Sequence, residues 1–174
     1  MTMLASAVVV TKRCDADEAA VLWRSGLDGL DDPEAYLGPG VTDTLPIEDR
    51  YYRLQIARGP TVGLGWTRRF GAVGYVRWYG LMLLPESRRC GLGLASSGAV
   101  VSAIFRDYPE TTTVLAMIHS SNPRERWRPT QEGRGRARYV GEILAATPAG
   151  VSLHLMQITR ESWNAWPELQ GDDG

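Results

Sequence analysis

The chain has 174 residues, of which 44% are hydrophobic and 22% are charged. This length and composition predict one soluble globular unit with its own apolar core, and they exclude collagen-like, disordered and disulfide-stapled classes of protein. Nineteen basic and twenty acidic side chains leave a formal net charge of −1, so the overall charge gives no reason to expect binding to nucleic acid or to an anionic membrane.

Cysteine usage and hydropathy limit the setting in which the chain works. Cys14 and Cys90 are the two cysteines, and they lack the CxxC or Cys/His spacing of a zinc site, so we predict neither a metal nor a disulfide framework. We expect a reducing cytoplasm as the compartment. No run approaches the roughly 20 apolar residues that cross a bilayer, so we expect no membrane partner. The prediction is a single domain over residues 1–170 and a frayed tail over 171–174.

The first half of the chain predicts a strand, a helix, a long connection and three further strands. The β-branched run 6–12 predicts the first strand. Asp15 with Glu18 three residues later predicts the capping box of a short helix that ends at Gly26. Residues 27–49 are acidic and rich in Pro and Gly, which predicts a connecting loop. Three strand-like runs separated by turns then predict an antiparallel meander; they are 51–57, 61–66 and 74–84.

The second half predicts a helix, a central strand and a final hairpin. Apolar residues at three- and four-residue spacing over 94–108 predict an amphipathic helix that ends before Pro109. The nearly continuous apolar run 113–119 predicts a strand that is covered on both faces. Residues 137–145 and 151–158 flank an ATPAG turn and predict a hairpin.

The stretch 81–98 carries the chemistry. An apolar strand is followed by a turn and by Arg-Arg-Cys-Gly-Leu-Gly, which opens directly into the amphipathic helix. Exposed backbone N–H groups at a helix N-terminus bind a pyrophosphate well, and the two glycines allow close approach of the backbone. The sequence has no GxxxxGK[ST] motif of a P-loop, and its GxG lacks the third glycine of a dinucleotide-binding Rossmann site.

This stretch resembles the coenzyme loop of the GNAT superfamily of acetyl-CoA-dependent N-acyltransferases. Arg88, Gly91 and Gly93 stand at the motif positions, Pro85 lies in the preceding turn, and a strand ending near Asn122 follows the helix. The resemblance implies an α/β fold with a mixed, mostly antiparallel sheet of six to seven strands, helices on both faces, and two central strands that splay apart. It also implies acetyl-CoA as the cofactor and transfer of its acetyl group to a primary amine by direct attack.

The resemblance also assigns residues to the coenzyme. The backbone of the strand would pair with the pantetheine arm and donate an N–H group to the thioester oxygen. Cys90 would lie at the pyrophosphate, away from the thioester, so a role as nucleophile is not expected. The implied coenzyme-binding residues are Leu81, Met82, Leu83, Arg88, Arg89, Cys90, Gly91, Leu92, Gly93, Leu94 and Asn122.

Catalytic and acceptor residues are harder to assign, because the family's helix with a general-acid tyrosine after Asn122 is replaced by a segment rich in arginine and proline. His119 and Tyr139 are the candidates for proton transfer, although a histidine at a strand end and a tyrosine at a strand start are often purely structural. Trp78, Tyr79, Ser120 and Ser121 are the candidates for contact with the acceptor, and packing in the core is the alternative for the two aromatic residues.

The sequence predicts the chemical class of the acceptor but leaves its identity open. A small-molecule or peptide amine is the expected acceptor, and the acidic connection would favour a cationic one if it lies near the cleft. A cluster of arginines suits the coenzyme 3′-phosphate, an acidic acceptor or tRNA, and a solvated loop is the alternative. A non-catalytic CoA-binding or tRNA-binding module is the second functional hypothesis, and a homodimer is an alternative to a monomer. The arginines are Arg124, Arg126, Arg128, Arg134, Arg136 and Arg138.

Overall fold

The computed structural model describes residues 8–30, 33, 44–72, 74–119, 137–144, 150 and 152–165. In chain order the elements of these residues are β1 (Val9–Cys14), α1 (Ala16–Leu27), β2 (Arg50–Ile56), β3 (Thr61–Arg69), β4 (Val76–Leu83), a 3-10 turn (Pro85–Ser87), α2 (Gly93–Asp107), β5 (Thr113–His119), β6 (Arg138–Ile143), β7 (Leu153–Thr159) and α3 (Arg160–Asn164).

The seven strands form one sheet in the order β1-β2-β3-β4-β5-β7-β6. β4 and β5 pair in parallel, and the other neighbouring strands pair antiparallel. α1 packs on one face of the sheet and α2 on the other. The predicted fold class, a mixed and mostly antiparallel sheet between helices, is therefore confirmed. None of the helices in the described ranges is long and apolar enough to span a membrane.

α1 begins where the sequence predicts. The Asp15 carboxylate accepts a hydrogen bond of 2.8 Å from the backbone N–H of Glu18, which satisfies one of the free donors of the first turn. Its buried face carries Ala19 and Trp23 onto Leu64 of β3 and Met82 of β4. The helix ends at Leu27, one residue beyond the predicted stop, and Gly29 follows in the left-handed region at φ +70°.

α2 lies so close to the sheet that one strand position must be glycine. A Cβ built on Gly65 of β3 would lie 2.5 Å from Cγ2 of Val100, which is fully buried in α2. On its face of the sheet, the helix packs its buried apolar side chains against strands of both halves, β1–β4 and β5–β7. Gly65 therefore sets the distance between the sheet and the helix whose N-terminus forms the candidate site.

The C-terminal end of α2 is held from two directions. The Asp107 carboxylate pairs with Arg13 of β1 at 2.8 Å and accepts a hydrogen bond of 3.2 Å from the hydroxyl of Tyr52. From the other side, the Arg160 guanidinium donates to the carbonyl oxygens of Phe105 and Tyr108, each at 3.1 Å. These cationic and hydroxyl donors satisfy carbonyl and carboxylate groups at a helix end that carries partial negative charge.

The sheet separates between β4 and β5, which confirms the predicted splay. Their pairing runs from Val76↔Thr113 to Tyr79↔Ala116 and stops there. Beyond that point β4 continues to Leu83 against β3, while β5 continues to His119 against β7. A gap therefore opens in the middle of the sheet toward the turn that precedes α2.

The remaining boundaries follow the sequence closely. β6 and β7 form the predicted hairpin, and its ATPAG turn lies largely outside the described residues. β1 runs two residues beyond the predicted end at residue 12, because its pairing with β2 continues to Cys14↔Tyr51. Residues 6 and 7 of the predicted strand lie outside the described residues. Most of the acidic connection lies outside the described residues.

The close approach at Gly65 gives the first prediction. Gly65→Ala places a methyl group against Val100, so we expect a loss of about 1–3 kcal/mol in the free energy of unfolding, measured by chemical denaturation. Gly65→Ala combined with Val100→Ala removes the colliding methyl groups, so its loss should be smaller than the sum of the two single losses. Simple additivity would contradict the assignment of Gly65 as the spacer.

Candidate functional site

The loop between the 3-10 turn and α2 presents a row of free backbone donors. Arg89 and Gly91 both have positive φ, at 62° and 80°, so the chain reverses twice before α2 begins. The first helical hydrogen bond joins the N–H of Ser96 to the carbonyl of Leu92 at 2.9 Å, and no side chain caps the helix. Within the described residues, no acceptor takes the N–H groups of residues 89–95.

The glycines keep this row of donors open. A Cβ built on Gly91 or on Gly93 would meet no heavy atom within 4 Å, so neither glycine is required by packing. Gly91 meets a conformational need at φ +80°, and both glycines leave the space in front of the N–H groups clear. A concave set of backbone donors at a helix N-terminus binds an anion such as a pyrophosphate.

Arg88 is turned away from this row of donors. Its Nε donates to the carbonyl of Leu83 at 3.0 Å, one terminal nitrogen donates to the carbonyl of Asp28 at 3.1 Å, and the other donates to the carbonyl of Gly26. Gly26 and Asp28 lie at the C-terminal end of α1. The guanidinium therefore fastens the loop to β4 and to α1, and burial lowers its pKa from the ordinary arginine value.

This placement has an electrostatic consequence. The C-terminus of α1 carries partial negative charge and lies beside a loop suited to bind a polyanion. Arg88 places a positive charge against the carbonyls of Gly26 and Asp28. It belongs to the same loop that carries the free N–H groups. Arg89 is exposed and is available for a direct contact with an anion. The two neighbouring arginines thus occupy different positions, a distinction that their adjacency in sequence does not reveal.

The β4 side of the gap offers backbone groups at alternate residues. Val76 and Leu84 direct their backbone groups toward β3, since the carbonyl of Val76 accepts from Phe70 and the N–H of Leu84 donates to Val62, both at 2.9 Å. By strand alternation, the N–H groups of Leu81 and Leu83 face the gap. The carbonyl of Leu83 is taken by Arg88. An extended ligand in the gap can therefore pair with β4 as a strand would.

The other coenzyme candidates divide between core and surface. Met82 and Leu92 are buried, Met82 beneath α1 and Leu92 beneath α2. Cys90 is half-buried, and its thiol contacts the carbonyl oxygens of Arg88 at 3.5 Å and Glu86 at 3.7 Å. Leu94 is half-buried in the first turn of α2. These four residues shape the loop and its support, and Asn122 lies outside the described residues.

Trp78 and Tyr79 point to opposite faces of the sheet, as the alternation of a strand requires. The Tyr79 hydroxyl is hydrogen bonded with the hydroxyl of Ser97 in α2 at 2.7 Å, and the side chain is 8% exposed. Tyr79 therefore packs in the core beneath α2. Trp78 lies on the α1 side, where its ring meets Phe70 edge to face at a centroid distance of 5.1 Å.

The proton-transfer candidates lie on the far side of the gap. His119 ends β5 opposite Leu153 of β7. Thr113, at the start of β5, donates its N–H to the carbonyl of Tyr75, which directly precedes β4. Alternate residues of a strand direct their backbone groups to the same side, so the backbone of His119 also faces β4, across the gap. Tyr139 lies on β6, two strands away from the gap. Ser120 and Ser121 lie outside the described residues, as do the clustered arginines other than Arg138.

Sequence reasoning missed His154. It is 8% exposed on β7, with Nδ1 4.0 Å from a carboxylate oxygen of Glu142 and its ring centroid 6.0 Å from that of Tyr139. Alternation along 153–159 places it on the same face as Met156 and Ile158, and this pattern was the available signal. No group of metal-ligating side chains occurs among the described residues.

Comparison with known proteins identifies the fold. No protein-family model and no curated protein matches the sequence. Among solved structures, the aminoglycoside acetyltransferase AAC(6')-Ib in complex with coenzyme A aligns with a TM-score of 0.65 and 20% identity, over 90% of this chain and 98% of the other. The spermidine N-acetyltransferase of Vibrio cholerae in complex with CoA and spermine aligns with a TM-score of 0.68 and 10% identity, over the same shares. AAC(6')-Ib in complex with coenzyme A and kanamycin aligns with a TM-score of 0.63 and 18% identity, over 90% of this chain and 98% of the other.

The different positions of the two arginines give the second prediction. Arg88→Ala leaves carbonyls of β4 and α1 without their donors, so we expect a loss of about 1–3 kcal/mol in the free energy of unfolding. Arg89→Gly is the matched control: it also removes a positive charge, but it relieves a left-handed φ and should be neutral or slightly stabilising. Chemical denaturation without ligand measures both, and equal stability of Arg88→Ala and wild type would contradict the fastening role.

Proposed function

We propose that this chain, which has the GNAT fold, transfers the acetyl group of acetyl-CoA to a primary amine by direct attack in a ternary complex. The observation that carries this proposal is the continuity of two features. The free N–H groups of residues 89–95 lie at the point where the gap between β4 and β5 opens. One ligand with a pyrophosphate and an extended arm fits both features at once.

The residues present fit the coenzyme. The N–H groups of the loop would hold the pyrophosphate, with Arg89 beside it, and Leu81 and Leu83 would pair with the pantetheine arm through their backbones. The coenzyme supplies an activated acetyl thioester. The N–H group of Leu81 or Leu83 would stabilise the negative charge that develops on the thioester oxygen, which is the contribution of an oxyanion hole.

The structural neighbours support an amine as the acceptor. One is an aminoglycoside acetyltransferase crystallised with coenzyme A and kanamycin, and another is a spermidine N-acetyltransferase crystallised with CoA and spermine. Both sets of ligands pair the coenzyme with a molecule that bears primary amines. For this chain we take from them the class of acceptor, a small molecule with a primary amine.

Proton transfer is assigned to His119 as the first candidate. An amine with a pKa near 10 must lose a proton before it attacks, and the departing thiolate must gain one. His119 belongs to the strand that borders the gap, whereas Tyr139 is separated from the gap by β5 and β7. Tyr139 is the second candidate, acting beside His154 and Glu142.

The proposal also covers the compartment of the protein, its domain organisation and its partners. We place the protein in a reducing cytoplasm, because both cysteines are free thiols. We treat residues 1–170 as one domain, because the described strands share a single sheet. A homodimer and a tRNA contact through the arginine cluster stay predictions.

Coenzyme binding gives the third prediction. Gly91→Val introduces a β-branched side chain at φ +80° in front of the free N–H groups, so titration calorimetry should detect no binding of acetyl-CoA at concentrations that saturate the wild type. Cys90→Ala is the matched control in the same loop and should bind within about twofold of wild type, an affinity difference under about 0.5 kcal/mol. A wild-type protein that binds no acetyl-CoA would remove the proposed function.

Proton transfer gives the fourth prediction. His119→Ala should lower kcat by about 10²- to 10⁴-fold while leaving acetyl-CoA affinity unchanged, measured by thiol release over a pH series. Tyr139→Phe separates the second candidate, because it removes only the hydroxyl. If thiol release persists at wild-type rates in both variants, neither residue transfers the proton. Bound CoA without thiol release by the wild type across a broad amine panel would favour the non-catalytic module.

A further inference from the structure

The gap in the sheet is bordered on one face by an apolar surface. Trp78 and Leu115 are paired across β4 and β5, and Met117 and Leu155 are paired across β5 and β7. Cross-strand partners and alternate residues share a face, so these four side chains lie on one side of the sheet. We call them the apolar shelf. Met117 is 42% exposed, and the other three are partly buried.

The shelf lies on the α1 side of the sheet. Trp78 alternates with Met82 along β4, and Met82 packs under α1 together with Trp23. α1 itself covers β2, β3 and β4. Of the described helices, α3 contacts β7, but its Trp163 packs with Phe105 of α2, on the other face of the sheet. Among the described residues, no helix therefore covers the shelf beside the gap.

The coenzyme and the shelf occupy opposite faces. The free N–H groups belong to the start of α2, and α2 packs on the other face, against Tyr79 and Ala116. A coenzyme held by those N–H groups reaches the gap from the α2 side. In a direct transfer the amine must approach the thioester where the coenzyme leaves room, and that side is the α1 side. The body of the acceptor then rests against the shelf.

The chemistry of the shelf selects the body of the acceptor. Its side chains are an indole, two leucines and a methionine, and the ring of Phe70 extends the aromatic surface beyond Trp78. Other polar positions on the same face are Arg68, which lies opposite Trp78 on β3, His119 at the open end of β5, and Thr113 and Gln157 toward the closed end of the gap. Arg68 pairs with the Glu48 carboxylate at 3.9 Å, so that carboxylate is already engaged by a cation. A polycation would lose water here without gaining an ion pair, whereas an apolar body gains by burial.

We propose that the acceptor is a primary amine carried on an aromatic or alkyl body, an arylalkylamine or alkylamine, that seats on the apolar shelf. This inference rests on the proposed function and adds the substrate class. It separates this chain from its structural neighbours, whose crystallised ligands kanamycin and spermine are polycations. The shelf would contribute affinity in proportion to the apolar area that the acceptor buries.

The experiment compares kcat/KM for matched amines with the whole protein and acetyl-CoA. Along propylamine, butylamine, pentylamine and hexylamine, each added methylene that reaches the shelf should raise kcat/KM by roughly fourfold. 2-Phenylethylamine should exceed spermidine and kanamycin by at least about tenfold. A flat series, or a preference for the polycations, would overturn the proposal while leaving acetyl transfer itself intact.

A charge placed on the shelf tests its location. Met117→Glu should lower kcat/KM for 2-phenylethylamine by roughly tenfold or more and raise it for spermidine, with acetyl-CoA affinity unchanged. Val21→Glu is the matched control, because Val21 is 55% exposed on α1 and lies away from the shelf. Equal effects of the two variants on both amines would overturn the assignment of the site. Loss of acetyl-CoA binding by the wild type would instead remove the proposed function on which the inference rests.

Discussion

The pairing of β4 with β5 stops after Tyr79 and Ala116, and the candidate site depends on that interruption. Backbone donors inside a sheet are normally satisfied by the neighbouring strand. Here the N–H groups of Leu81 and Leu83 face a gap, and their partner must be solvent or a ligand. The same interruption gives a ligand arm access to the middle of the sheet, beside the apolar shelf. A continuous sheet would offer no such access.

Two helix ends meet beside this gap, and their charges differ in sign. The N-terminus of α2 presents free N–H groups, while the C-terminus of α1 presents carbonyl oxygens that Arg88 binds. Arg88 thus compensates the negative end of one helix and leaves the positive end of the other available to an anion. The loop is suited to bind phosphate because Arg88 is engaged by the carbonyls of α1, while the backbone N–H groups stay free for the anion.

Local chemistry made much of the fold readable from the sequence. The Asp15–Glu18 cap, the alternating strands and the turn into α2 are each specified within a few residues, and the resemblance of that turn to a known coenzyme loop located the phosphate end of the site. The partners of Arg88 could not be read in this way, because Gly26 and Asp28 lie 62 and 60 residues away. His154 was missed for the same reason: its environment comes from β5 and β6, and strand pairing decides which residues they place beside it.

The interrupted pairing also determines where the two halves of the sheet are joined. Four residue pairs join the two halves of the sheet, β1–β4 on one side and β5–β7 on the other. α2 bridges the halves: Arg13 of β1 and Arg160, which directly follows β7, both hold its C-terminal end. Those contacts lie at the closed end of the gap, where β4 and β5 are still paired. The closed end is therefore fastened twice, by strand pairing and by the C-terminal end of α2.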